Sequence, residues 1–544
     1  MKLLSSFFFI VLLALQANAQ SLQRVAPEQV GMDSRHLLYA DEAIETAIAN
    51  KDIPGAVLAV VRNGKIAYLK AYGNKRVYPN TEPMTVNTIF DMASCSKPMS
   101  TAICTHILAE RGKLRLLDPV SLYIPEFKSW VSEDGKDKKI IRIADLLTHT
   151  SGLPPYAPTS ELEKQYGSPS PDGMIEYIAN CRRDFKPQTD FQYSCLNYIT
   201  LQRIIETVSG QSLRDFAREN LFDVLGMTHT DYLPCKRDKD GKWINTADAH
   251  WATSTEGDWH SLIAPTEKQS DGSVLCGQVH DPLARVMNGG ISGNAGVFSC
   301  AEDIAVLCAA LQNGGEWNGH RILSPLGVKA MRTVPRATAT LGRTLGWDNF
   351  TAYASNNGDY FSPNTYGHTG YTGTSIIIDP DNDTSVILLV NAVHPEDGHS
   401  MVRLRSLIAN VVAASIYPTP RIYTDHYYKR FLQFMDEPAI TSKVMGIYDR
   451  LHQILPGHPE KLFLLAGVND ISHDLTADSI VSMIRMTVER IQRESPNTKL
   501  YLQSLLPFDE SFGRYKKLTG KTDMVPEINA QLEVLAKDHK ITFI

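Results

Sequence analysis

Apolar positions along the chain switch between a helical and a strand-like period, and the switches divide it into pieces. From Asp33 to Lys51 they recur every three or four residues, which predicts an amphipathic helix capped by Asp33 or Ser34. GAVLAVVRNGKIAYLKAYG follows, two alternating runs joined at Arg62-Asn63-Gly64, where Asn-Gly predicts a tight hairpin. A helix followed by antiparallel strands predicts an α+β domain, not a βαβ repeat. Helical spacing returns at Met99, Ile103, Ile107 and Leu108. A short helix in RIADLLTHTSGLPPY is expected to break at Ser151-Gly152 and Pro154-Pro155, and a longer one runs through Ile199, Leu201, Ile204, Ile205 and Val208 to Gly210. Residues 241–280 are polar and irregular, as a surface excursion around a cleft would be. GNAGVFSCAEDIAVLCAAL predicts a glycine-rich close approach, a short strand and a helix capped near Ser299. YGHTGYTGTSIIIDPDNDTSVILLVNAV predicts two antiparallel strands around Asp379-Pro380-Asp381-Asn382, the first beginning at His368-Thr369-Gly370.

The pattern breaks at YPTPRIYTD, a proline-containing linker. Beyond it, KLFLLAGVNDIS predicts a strand running into Gly467-Val468-Asn469-Asp470, then a helix from about Thr476 to Ser495 and a second strand in KLYLQSLLPF. Strand, helix, strand with Asn and Asp at a strand's carboxyl end predicts a doubly wound sheet with a site at that edge. At the other end, Lys2, an apolar run from Leu3 to about Leu15, and Ala17-Asn18-Ala19 have the layout of a secretory signal cleaved after Ala19. The run is shorter than the roughly 20 residues a bilayer needs, and no later segment is long and apolar enough to span one.

Composition adds limits. With 544 residues, 43% hydrophobic and 21% charged, the chain can build two or more domains with sizeable cores. A net charge of -6 without a basic block argues against nucleic acid as a partner. The eight cysteines fit neither a zinc site nor a small disulfide framework, and most are expected to be buried apolar side chains. The histidines lack metal-ligand spacing, so neither metal nor cofactor is implied.

Candidate chemistry centres on FDMASCSKPMS. Ser94 and Lys97 stand three residues apart at the start of a helical pattern, so the amine lies on the same face as the hydroxyl it could deprotonate. Only a neutral amine acts as a base, so the site is expected to desolvate Lys97 or surround it with cations or donors. Tyr193 lies in FQYSCLNY, Phe191 to Tyr198, just before the helix through Ile199, where a tyrosine serves packing or chemistry. His149, at a helix end, is expected to cap carbonyls or fill a core edge, with catalysis as the alternative. For His280 and Asp281, loop orientation and cleft lining are both open readings.

Ser94-Cys95-Ser96-Lys97, Tyr193-Ser194-Cys195 and His368-Thr369-Gly370 come in the order and rough spacing of three site motifs, with THTSGLP and GNAGVFS as landmarks. In this the chain from about Gln20 to Pro418 resembles the serine beta-lactamase and penicillin-binding superfamily, most nearly class C beta-lactamases, D,D-peptidases and related esterases. The resemblance implies a beta-lactamase/transpeptidase-like α+β domain over 20–416, an antiparallel sheet plus a helical subdomain. It implies Ser94 as nucleophile, Lys97 as base or proton relay and Tyr193 as second general acid/base. His368 and Thr369 would line the substrate channel, and the N–H groups of Ser94 and Tyr371 would form the oxyanion hole. Two positions depart from the family pattern: His368 stands where lysine is usual, and Cys195 where asparagine is usual, with Asn197 as a stand-in. Strong beta-lactam hydrolysis is therefore not expected.

After a linker at 417–425, the segment 426–544 resembles part of an SGNH, or GDSL, hydrolase, in which Asn469 would be an oxyanion donor. The Gly-Asp-Ser and Asp-x-x-His blocks of that family are missing, so an incomplete, catalytically dead α/β segment is expected. The leading expectation is an exported serine hydrolase, periplasmic or secreted, acting on a small ester, amide or cell-wall peptide through acyl-Ser94. The alternatives are a slowly acylating penicillin-binding sensor, and a carbohydrate acetylesterase working through the second segment. Oligomeric state is left open.

Overall fold

The computed structural model describes residues 21–417, then 444, 447, 448, 451, 454 and 455, and 459–544 except 473, 507–517 and 519. The signal segment, the linker beyond Tyr417 and the side chain of Asn469 lie outside the described residues. The chain forms two compact units, Met1–Ile416 and Tyr417–Ile544.

In the first unit, helix α1 (Ser34–Ala49) starts where Asp33 accepts the Arg35 and His36 N–H groups. Strands β1 (Gly55–Arg62) and β2 (Lys65–Arg76) form the hairpin, with Arg62 opposite Lys65 and Asn63 and Gly64 both at positive φ. A two-residue strand β3 (Glu82–Pro83) follows, then β4 (Phe90–Asp91), which leads into Ser94. Helix α2 (Ile103–Glu110) and the short α3 (Ile143–Leu147) precede the long α4 (Cys195–Ser209). Next come β5 (Asp231–Tyr232), β6 (Val297–Ser299) and α5 (Ala301–Gln312). The unit closes with β7 (Tyr366–Thr369), β8 (Ser375–Asp379), β9 (Thr384–Val390) and α6 (Val402–Ala414).

Six strands form one antiparallel sheet in the order β7-β8-β9-β1-β2-β3, so β7 is an edge. Every residue of β1 is buried because both faces of the sheet are covered. Val57, Ala59 and Val61 join a core with Met99 and Ile103, whereas Ala56, Leu58 and Val60 join another with Leu37, Ile44, Ile408 and Val412. The second core is where α1 and α6 pack on the sheet. The helices that carry the site occupy the other face.

Two expectations need correction. His368-Thr369-Gly370 does not begin a long strand: His368 and Thr369 end the edge strand β7, and Gly370 turns the chain before β8 begins. Gly370 N–H donates to Thr374 O and Gly373 N–H to Gly370 O, so this run holds three strands with β9, not two. Ser94 also does not open a regular α-helix. It sits in a 3-10 turn, Ala93–Cys95, followed by a π-helical stretch, Lys97–Ala102, before α2. Pro98 has no N–H to give an α-helical ladder, consistent with the wider turn.

The irregular excursion builds a small core of its own, with Trp251, Trp259, Ile263 and Val279 packed on Ile89 and Phe298. All eight cysteines are unpaired, and six are buried. In the second unit, β10 (Lys461–Leu464), α7 (Ala477–Glu494), β11 (Lys499–Leu502), α8 (Met524–Asp538) and β12 (Thr542–Phe543) form a parallel three-stranded sheet, order β10-β11-β12. Ile480, Ile484, Val488 and Ile491 of α7 face its core at helical spacing. No helix among the described residues is long and apolar enough to cross a membrane.

Candidate active site

Ser94 is presented by a strained turn. Ala93 has φ 43°, a left-handed conformation uncommon for alanine. Asp91 clamps it: one carboxylate oxygen accepts Ala93 N–H at 2.8 Å, the other accepts His280 N–H at 2.7 Å. Thr372 Oγ1 donates to Asp91 O and Thr374 Oγ1 to Met92 O, tying the turn to the residues after His368-Thr369-Gly370. A Cβ on Gly370 would lie 2.2 Å from Thr374 Oγ1 and 2.6 Å from Met92 O, so only glycine allows this approach. Among the described residues, the N–H groups of Ser94 and Tyr371 donate to no protein acceptor.

Lys97 is fully buried and donates to Ser94 Oγ at 3.0 Å, Asn294 O at 2.8 Å and Cys195 Sγ at 3.7 Å. Asn294 reaches it because Gly293 passes so close to α4 that a Cβ there would lie 2.0 Å from Tyr198 O. Lys97 Nζ stands 5.0 Å from the centre of the Tyr193 ring. The Tyr193 hydroxyl oxygen is buried and unpaired.

The electrostatics differ from expectation. Burial pushes the Lys97 amine down, but Cys195, Tyr193 and Asp281 lift it above its ordinary value. Burial and these neighbours therefore act on the Lys97 amine in opposite directions. Burial raises the Tyr193 phenol, while Lys97 and Arg343 oppose the rise. Each of the two groups acts on the proton affinity of the other.

His149 is a brace. Its Nδ1 accepts Ser194 N–H and the Asn197 amide, each at 3.1 Å, and its ring lies 4.4 Å from that of Tyr193, centre to centre. Asn197 also receives a hydrogen bond from Ser151, so it is turned toward His149 and does not replace the missing amide beside Lys97. Asn294 supplies Lys97 with an acceptor instead, through its backbone.

His368 differs too. Burial first, then Arg343 and Lys97, push its imidazole well below the usual value, so it is neutral and not a conditional cation. Arg343 Nη2 lies 2.7 Å from His368 Nε2, and Arg343 pairs with Asp348 at 3.4 Å. Arg343 is 1% exposed, its Nε is unpaired, and it lines the same cleft as Ser94, Tyr193, His368 and Tyr371, a space of about 660 Å³. Two buried arginines, Arg343 and Arg405, line the cleft, and Arg343 is the one beside His368. No motif in the sequence marked it, because a lone arginine in an irregular stretch carries no spacing signal. Asp281 accepts from Asn294 Nδ2 at 3.2 Å and from Tyr156 at 3.2 Å, one step behind Lys97.

A half-buried serine on a helix-leading turn, a buried lysine on its hydroxyl and a tyrosine beside both, set against an antiparallel sheet edge, define a serine hydrolase centre. The profile of the beta-lactamase family ("Beta-lactamase") matches residues 40–410, and the chain belongs to that family. It is 31% identical over 404 residues to a "Putative D-alanyl-D-alanine carboxypeptidase" of Escherichia coli (strain K12), covering 72% of this chain and 91% of the relative. In fold it is similar to "EstCE1, a hydrolase with promiscuous acyltransferase activity", with TM-score 0.52, 22% identity, 70% of this chain and 99% of that one. A penicillin-binding protein homologue from Caulobacter crescentus gives TM-score 0.51 at 17% identity, over 71% and 99%. The chain is a serine hydrolase of the beta-lactamase-related type.

Proposed function

We propose that the first unit hydrolyses a small amide or peptide bond next to a free carboxylate, through an acyl-Ser94 intermediate. The observation that carries this reading is the 3.0 Å contact of Lys97 Nζ with Ser94 Oγ beside a cleft lined by the buried cations Arg343 and Arg405. Ser94 Oγ attacks the carbonyl carbon as its proton passes to the Lys97–Tyr193 pair. The tetrahedral oxyanion is held by the free N–H groups of Ser94 and Tyr371. Tyr193, whose hydroxyl has no other partner, returns the proton to the leaving amine. Water then repeats the sequence on the acyl-enzyme. Arg343, beside His368 and Thr369, binds the carboxylate, and the relatives' D-alanyl-D-alanine names agree with a peptide ending in one.

The test is acylation by a fluorophosphonate, read by peptide mass, together with turnover of D-alanyl peptides and their C-terminal amides. Label on Ser94, turnover lost in Ser94→Ala and preference for the free acid support the reading. No label on a folded protein would sink it. Cys195, a thiol where the family usually has an amide, favours a second reading, a slowly acylating sensor; stoichiometric labelling without turnover of any chromogenic ester would select it. Export by the Met1–Ala19 segment, to the periplasm or medium, belongs to the same proposal.

For the second unit we infer an inactive remnant of an SGNH-like domain, on the parallel strand-helix-strand order and the missing nucleophile block. Residual p-nitrophenyl acetate hydrolysis in full-length Ser94→Ala, abolished by adding Asn469→Ala, would overturn this.

A further inference from the structure

Away from the cleft, the loop before β5 and the first turn of α5 bring together His229, Cys300 and Asp303, whose ligand atoms lie within 4.8 Å of one another. Cys300 is the cap residue of α5 and Asp303 belongs to its first turn; both are buried, and His229 is half-buried. Each side chain is held in place by something other than the cluster itself. One Asp303 oxygen, Oδ2, accepts His229 N–H at 2.8 Å and Thr230 Oγ1 at 2.7 Å. The His229 ring stacks on the fully buried Trp251 at 6.5 Å and 18°, and its Nδ1 meets Thr228 Oγ1 at 3.1 Å, which leaves Nε2.

No lysine, arginine or histidine lies within ion-pair distance of Asp303 among the described residues, and the nearest charge that bears on it is another acid, Glu302. The second carboxylate oxygen, Oδ1, takes no hydrogen bond among the described residues.

We propose that His229, Cys300 and Asp303 form a zinc(II) site outside the hydrolase centre. An imidazole, a thiolate and a carboxylate are the borderline-soft nitrogen, sulfur and oxygen set that zinc takes. Calcium and magnesium, which take oxygen ligands, do not fit the thiol and imidazole. Ligand atoms at about 2.0–2.3 Å from zinc stand at most about 4 Å apart, so closing the cluster needs a shift of about 1 Å or less. Binding breaks the Cys300 S–H bond, forms a sulfur–zinc bond and releases one proton to solvent. Spacing in the sequence does not reveal the set, because His229 lies far from the Cys300–Asp303 pair. The site would brace the nucleophile turn, since Cys300 directly follows β6 and β6 pairs with β4 before Ser94.

The experiment uses the full-length, metal-stripped protein and cobalt(II) as the spectroscopic probe, with zinc(II) affinity measured by competition against a chromogenic chelator. One equivalent of cobalt(II) is expected to give a thiolate-to-metal charge-transfer band that zinc(II) displaces and Cys300→Ser lacks. His229→Ala and Asp303→Asn are each expected to weaken zinc(II) binding by at least about tenfold. A far-UV circular dichroism spectrum and a cooperative thermal transition like those of the wild type certify that each variant is folded. A wild-type protein without the band, or a band that persists in Cys300→Ser, would overturn the proposal. Should Cys300→Ser fail to fold, His229→Ala, altered at a half-buried ring, decides alone: unchanged zinc(II) affinity there is equally fatal.

Discussion

Arg343 Nη2 lies 2.7 Å from His368 Nε2, and because a guanidinium can only donate, the imidazole must accept there. Its proton then sits on Nδ1, directed at Thr369 O 2.9 Å away. The pair divides between two side chains what one lysine does in the family pattern: the histidine shapes the edge strand, and the arginine holds the charge. Arg343→Lys keeps the ion pair with Asp348 but loses the fork. It is expected to raise KM for a peptide ending in a carboxylate by about tenfold to a hundredfold, the worth of a charge-assisted hydrogen bond, with little effect on an uncharged ester. In Arg343→Met the His368 imidazole is expected to titrate at higher pH than in the wild type, because one of the cations holding it down is gone. Histidine NMR titration reads this directly.

Asp281 lifts the Lys97 amine and is hydrogen-bonded to Asn294, the residue whose carbonyl Lys97 holds. On the proposed mechanism the Lys97–Tyr193 pair must lose a proton, so kcat/KM is expected to rise with pH. Neutralising Asp281 lowers the proton affinity of Lys97, so Asp281→Asn is expected to move that rise to lower pH. A profile displaced to higher pH, or reduced in height without displacement, would contradict the role given to Asp281.

His149 and His368 are both held neutral, by burial first and by Arg343 and Lys97 next. Their folded-state values lie below the unfolded one of about 6.5. The unfolded chain therefore binds more protons as the pH falls through that value, and stability is lost on the acid side. Each histidine contributes up to about 1.4 kcal/mol per pH unit in that window. Urea unfolding of the first unit followed against pH should show this slope, and His149→Asn should flatten it while lowering stability overall.

Gly370→Ala would drive a methyl group into Thr374 Oγ1 and Met92 O. A cost of about 1–3 kcal/mol is expected, together with loss of Ser94 acylation, since Met92 belongs to the turn that carries Ser94. Thermal melting and fluorophosphonate labelling measure the two effects separately.

The hairpin at Arg62–Lys65, the α1 cap at Asp33 and the helix after Cys195 were legible in the sequence because each is set by local chemistry, a turn dipeptide, a capping carboxylate or a run at one period. Ser94, Lys97, Tyr193 and His368 were legible as spaced motifs, and the fold brings them to one cleft. The break at Gly370 was not, since its cause is contact with Met92 and Thr374, which no local pattern encodes. Arg343 and Asn294 were missed for the same reason: each acts through a single long-range contact. Cys195, Tyr193 and Asp281 also act on Lys97, and only the fold gathers them around it.

The clamp on the turn before Ser94 is assembled from distant parts of the chain: Asp91 accepts from a backbone N–H 189 residues onward and its carbonyl from a hydroxyl 281 residues onward. The nucleophile therefore has no defined position in a partly made chain. A chain ending before Thr372 lacks one of these ties, so acylation of Ser94 is expected only once the residues after His368 are in place.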